Sequence, residues 1–151
     1  MRTKRVLRYY CDFCKKAGCS KFHMEQHEKH CTMNPERSCG MCSAMESDQT
    51  NLAGLMAILP DPKDFECIEQ VEIGFFGDGN YADLKVYTGL EQAVAAVMDN
   101  LWDAAGSCPA CVLAALRQKG LTSHIGDDTF DYQKSVREFW AEQNQDHAEY
   151  F

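Results

Sequence analysis

Apolar positions recur at helical spacing in four stretches of this chain and alternate in one. Asp48 to Leu59 places Leu52, Leu55, Met56 and Leu59 on one side behind a polar start, which predicts a capped amphipathic helix stopped by Pro60 and Pro62. Leu90, Val94, Val97, Met98 and Leu101 form a stripe that predicts a helix from a Thr88 cap to about Ala105, ended by Gly106. Val112 to Lys119 predicts another, with Pro109 in a first-turn position that needs no N–H and Gly120 as its stop. Phe130, Tyr132, Val136, Phe139 and Trp140 predict a last helix over Asp128 to Trp140, before an acidic tail that frays.

Between Phe65 and Tyr87 the period changes. Val71, Ile73 and Phe75 alternate with Glu72 and Gly74, Gly77 to Asn80 has turn composition, and Leu84 and Val86 alternate around Lys85, which together predict a small β-hairpin. The expected fold is therefore mainly α, with a small α+β variant if the hairpin forms.

Arg2 to Cys42 follows neither pattern. Its only branched aliphatics are Val6 and Leu7, so it lacks the material for an ordinary core and must take its stability from elsewhere. Cysteine supplies the means. The 151 residues contain nine, and six of them form three Cys-x2-Cys pairs: Cys11/Cys14, Cys39/Cys42 and Cys108/Cys111. This is metal-ligand spacing rather than a disulfide framework.

In the first cluster a turn presents Cys11 and Cys14, and His27 and Cys31 follow four residues apart, hence on one face of a helix that Ser20 can cap. His30 is the alternative to Cys31 for the fourth place, and Cys19 and His23 lie close by. Tyr9 and Met24 stand where a small finger needs apolar packing. Over Tyr9 to Cys31 the chain resembles zinc fingers with two cysteines and two histidines, in the variant whose last histidine is a cysteine. It departs at Gly18, where that family usually has a large aromatic, and Phe22 is the candidate to replace it.

Cys39, Cys42, Cys108 and Cys111 remain to form a second, four-cysteine site. That site would staple the N-terminal segment to the helices, because closing a long loop costs little more than closing a short one. The expected content is two structural Zn2+ per chain, with Cys67 left over as a small buried core residue. The alternative for Cys108 and Cys111, a redox pair at a helix N-terminus, lacks the preceding strand of a thioredoxin-like motif. Sites with four protein ligands leave no place for water or substrate, and no His-Asn-His order with a metal carboxylate accompanies the histidines, so no enzyme or small-molecule substrate is expected.

Charge divides the chain at the same point. The formal net charge is −8, yet residues 1–42 hold nine Lys/Arg against four Asp/Glu, leaving six against nineteen for residues 43–151. Two units follow: a basic zinc-finger segment over 1–42 and an acidic, mainly helical domain over 43–151 sharing the second site. The finger resemblance places Ser20, His23 and Gln26 where such helices face bases, with Arg5, Arg8, Lys15, Lys16 and Lys21, then Arg2, Lys4 and Lys29, as phosphate contacts. Duplex DNA is the expected partner. A basic protein engaged by the acidic face of Asp128, Asp131, Glu138, Glu142, Asp146 and Glu149 is the alternative.

No apolar run is long enough to span a membrane and no secretory h-region follows the N-terminal cations, so a soluble, cytoplasmic protein is expected. The runs Tyr10 to Cys14, His27 to Pro35, Cys39 to Cys42 and Cys108 to Cys111 together resemble small zinc-binding proteins encoded by bacteriophages. This resemblance implies a role in a bacterial host as a DNA-associated factor, an inhibitor of a host or defence protein, or a virion part.

Overall fold

The N-terminal fold is set by a short ribbon and one helix. Tyr9–Tyr10 (β1) pairs antiparallel with Ala17–Gly18 (β2), and Lys21–His30 (α1) follows, its first turn held by Ser20, whose side chain accepts from the His23 amide. These elements belong to a computed structural model that describes residues 1–74, 77 and 79–148. Met24 is buried between Cys11 and Cys31, with Tyr9, Cys14 and Met33 packed around them. Gly18 explains the missing aromatic: a Cβ there would stand 3.5 Å from the Met24 methyl, so methionine fills the volume. Phe22 does not replace the aromatic, because it points outward and is 64% exposed.

The body starts with a one-turn helix, Gly40–Ala44 (α2), then Leu52–Ile58 (α3), which Asn51 caps rather than Asp48. A 3-10 turn, Pro62–Phe65, leads into the hairpin Glu66–Glu72 (β3) and Tyr81–Tyr87 (β4). Leu90–Ala104 (α4), Pro109–Gln118 (α5) and Tyr132–Ala148 (α6) complete the order. Thr88 is not the cap of α4. Gly89 takes that place with φ +80°, and the Thr88 hydroxyl lies 3.3 Å from the Cys67 thiol instead. Gly106 and Gly120 end α4 and α5 at φ +60° and +75°, a conformation only glycine adopts without strain.

Helix α5 is the centre of the body. Its Ala110, Val112, Ala114, Ala115 and Leu116 are buried, and α3, α4 and α6 pack around it with Leu55, Leu59, Leu90, Val94, Leu101 and Phe139. Small side chains on α5 let its neighbours approach, and the leucines fill the gaps between them. Cys39, Cys42, Cys108 and Cys111 are part of this same core.

The fold is a small α+β one with two antiparallel hairpins, so "mainly α" understates the strands. The second hairpin runs in register from Glu66 opposite Tyr87 to Glu72 opposite Tyr81, beginning five residues before the alternation at Val71. Every residue of β3 is exposed, Cys67 included, which corrects its expected place in the core. Phe75 lies outside the described residues, as do the side chain of Asp146 and all of Glu149. Among the described residues no helix is long and apolar enough to cross a membrane.

Candidate metal centres

Two clusters gather the ligand-type side chains: Cys11, Cys14, His27 and Cys31 in the finger, and Cys39, Cys42, Cys108 and Cys111 in the body, each with its ligand atoms within 4.8 Å of one another. The test of fit is geometric. Thiolates about 2.3 Å from a tetrahedral zinc stand about 3.8 Å apart, and a thiolate and an imidazole nitrogen slightly less. The Cys39 and Cys108 sulfurs are 3.5 Å apart, Cys42 and Cys111 3.6 Å, and Cys14 Sγ lies 3.2 Å from His27 Nε2. Disulfides need about 2.05 Å, and all nine cysteines are free. Two tetrahedral-type clusters, one with three cysteines and a histidine and one with four cysteines, are thus consistent with two structural zinc ions.

Local structure places each finger ligand. Cys11 leaves β1 into a turn in which the Phe13 amide donates to Cys11 Sγ and the Lys16 amide to Cys14 Sγ, both at 3.4 Å, so backbone dipoles face the sulfurs. Helix α1 then brings His27 across, and Cys31, 3% exposed, closes the site from the residue that ends the helix. His30 is turned away, its Nδ1 2.8 Å from the Ser38 carbonyl. Cys19 and His23 are exposed and outside the cluster. Burial, with the Lys16 charge nearby, holds the His27 imidazole below its ordinary range, which leaves the ring neutral and able to ligate. Burial pushes the Cys11 thiol up. At Cys14 burial pushes the same way but is outweighed by the Lys16 amide, the Cys11 and Cys31 sulfurs and the Arg117 charge, leaving that thiol below its ordinary value.

In the second site Cys39 and Cys108 each sit at a helix N-cap, the first of α2 and the second of α5, so two helix starts converge on one point. The Cys42 amide donates to Cys39 Sγ at 3.5 Å, and Gln49 bridges the turn by accepting from the Cys39 amide and donating to the Arg37 carbonyl at 2.9 Å. Helix starts and amides favour negative charge. Hydrogen bonding from Cys108 and Cys111 holds Cys39 far below the ordinary thiol range. Burial, then Cys108, pushes Cys42 up to about 12, and Cys108 followed by Cys39 holds Cys111 well above its ordinary value. Cys39 is thus pushed toward its thiolate while Cys42 and Cys111 are pushed toward their thiols. A divalent cation is what lets the remaining protons leave.

One member of this site carries no signal in the sequence. Arg37 is the buried charged residue of the described core, 6% exposed, with Nη1 3.9 Å from Cys111 Sγ and its Nε without a partner. A zinc ion with four thiolates carries a formal charge of about −2, and the guanidinium offsets part of it where water cannot. Nothing in its spacing separates Arg37 from the other N-terminal cations. Tertiary burial alone does.

The finger is also fixed to α5. Arg117 Nη1 donates to Thr32 Oγ1 at 2.8 Å, and Gln118 Nε2 donates to the Thr32 and Asn34 carbonyls at 2.9 and 3.0 Å. Of the residues assigned to nucleic acid, Arg5, Arg8, Lys15, Lys16, Lys21 and His23 are exposed, as are Arg2, Lys4 and Lys29. Gln26 is half-buried, Ser20 is engaged as the helix cap, and Lys21 lies 3.7 Å from Glu25.

Because Cys42 and Cys111 hold protons in the metal-free site, zinc must displace both. Folded-state values raised above the ordinary 9.0 mean that metal-free stability is kept below pH 9 and lost as pH rises toward about 12, whereas zinc affinity moves the other way and falls with falling pH. At neutral pH the second site is expected to lose at least roughly two decades of apparent zinc affinity per pH unit lowered, from Cys42 and Cys111 alone. Calorimetry in buffers of different ionisation enthalpy checks this, and a proton release near zero would contradict the assignment.

No family model matches this chain, and no curated protein or solved structure is matched by it either.

Proposed function

We propose that this is a zinc-stabilised nucleic-acid-binding accessory or regulatory protein, non-enzymatic, whose metals hold the fold and whose finger makes the contact. One observation carries the reading: the finger exposes Arg5, Arg8, Lys15, Lys16 and Lys29 with no ion-pair partner among the described residues, beside His23 near the start of α1. Exposed cations left without a carboxylate partner suit a phosphate backbone. Four protein ligands at each cluster leave no open coordination position, which supports a structural role for both metals. The likeness of the ligand runs to small bacteriophage zinc proteins is what supports a setting in a bacterial host cytoplasm.

The test is binding of the zinc-loaded chain to random duplex and single-stranded DNA at two salt concentrations. Lys15→Glu with Lys16→Glu is expected to weaken binding at least roughly tenfold and to lower the salt slope by about two. Equal affinity in the double variant, or no binding at low salt, overturns the reading.

A second reading, a protein-binding inhibitor or assembly component, has its own observation. A groove of about 440 Å³ on the acidic body is lined by Met45, Trp102 and Phe139 with Glu138 and Glu142 at its side. An apolar floor with an acidic rim suits a basic partner segment.

A further inference from the structure

The hairpin β3–β4 joins the body at its base, where Tyr87 packs against the core and lies 4.3 Å from the His124 ring, while β3 is exposed along its length. Among the described residues β3 has one neighbour, β4, so its outer edge presents N–H and C=O groups unpaired there along seven exposed residues. Two-stranded ribbons are marginal in water, and an open edge is a template for another strand. Apolar side chains remain in the open on it, with Ile68 65%, Leu84 52% and Val71 40% exposed. The edge also carries Glu66, Glu69 and Glu72, one acid every third residue.

That spacing restricts what can pair there. A second β3 laid antiparallel about Glu69 would put Glu69 against itself and Glu66 against Glu72, and like charges directly opposite are unfavourable. The complementary strand lies in the same chain. Met1 to Arg8 has no regular structure, is exposed throughout, and carries Arg2, Arg5 and Arg8 at the same interval of three. Laid antiparallel on β3, Arg8 falls opposite Glu66, Arg5 opposite Glu69 and Arg2 opposite Glu72, while Val6 meets Ile68 and Leu7 meets Cys67. The parallel alignment matches the charges equally but sets Lys4 against Ile68, so the antiparallel one is preferred.

We propose that the N-terminal arm of one copy adds as a third strand to the β3 edge of a second copy, the exchange being reciprocal and closing a two-fold dimer. A second copy is the occupant because within one chain the arm is exposed and, among the described residues, no third strand pairs with β3. Association withdraws Arg5 and Arg8 from any phosphate, so nucleic acid and the dimer compete for the arm, whereas Lys15, Lys16 and Lys29 stay available in both states.

The experiment is sedimentation equilibrium of the full zinc-loaded chain across salt. The expected result is a reversible dimer of twice 17.1 kDa at low salt that dissociates as salt rises. Glu66 is already 2.8 Å from Lys85, so the charge reversals use the other two pairs. Arg2→Glu with Arg5→Glu, and separately Glu69→Arg with Glu72→Arg, are each expected to weaken self-association by roughly a hundredfold or more. Mixed in equal amounts they should dimerise again, because each then offers the strand the other lacks. Unchanged zinc content and circular dichroism identify the variants as folded. A wild-type chain monomeric at every concentration, a dimer indifferent to the reversals, a mixture that stays monomeric, or an arm that crosslinks to β3 only within its own chain would each overturn the proposal.

Discussion

Cys108→Ser is expected to halve the zinc content and to abolish the cooperative unfolding of the body. Cys108 is fully buried, caps α5, and touches Cys39 across 69 residues of chain, so its sulfur joins α2 to the central helix of the core. α2 has five residues, too few to persist alone, and what holds it is the site. Structural zinc contributes about 10–16 kcal/mol in small finger peptides, against about 5–15 kcal/mol for the net stability of a whole domain. A three-sulfur remnant would also leave Arg37 buried beside an incomplete site, and a buried charge without its compensation costs about 3–5 kcal/mol. The leucines of α3, α4 and α5 would still collapse, so the expected product is helical but without fixed packing. Metal analysis and thermal unfolding check this, with Cys67→Ser as control. Cys67 is exposed and outside both clusters, and its replacement should leave two zinc ions per chain and change stability by less than about 0.5 kcal/mol. Two zinc ions retained in Cys108→Ser, or a melting curve like the wild type, would sink the assignment of the second site.

The contrast between these two cysteines bears on what could be read from the chain. Ligands come in Cys-x2-Cys turns and a His-x3-Cys helix face because zinc geometry is local, so spacing alone groups them. The helical stripes of α4 and α5 are legible for the same reason, since periodicity records one buried side. What spacing does not carry is three-dimensional accessibility. Cys67 has the composition of a core residue, yet it lies on a ribbon that packs against little. Phe22 has the chemistry of a finger core, but Met24, two residues on and so on nearly the opposite side of α1, occupies the volume above Gly18. Arg37 is the inverse case, a cation that reads as surface and is buried because the thiolate cluster compensates it. The cap of α4 passed from Thr88 to Gly89 because the chain arrives from β4 at an angle that needs positive φ.

Cys14→Ala should act on the opposite unit and leave the body standing. The finger core consists of Cys11, Met24 and Cys31 with Tyr9, Cys14 and Met33 around it. Burying one methionine yields only about 1.5–3 kcal/mol, so apolar burial alone does not order the finger. The metal is what it depends on, and Cys14 Sγ against His27 Nε2 is the contact that ties the turn to α1. None of these residues belongs to the core around α5. The chain from Thr32 onward is held to α5 by Arg117 and Gln118, and Arg37 lies against Cys111. Unfolding is therefore expected to stop near Cys31: one zinc lost, amide resonances of residues 9 to 31 collapsed to random-coil positions, and those of α3, α4 and α5 unmoved. Unchanged amide dispersion in the finger would refute its metal site. Loss of dispersion in α4 as well would show that the finger, rather than the four-cysteine staple, nucleates the body, and the order of dependence between the two sites would be reversed.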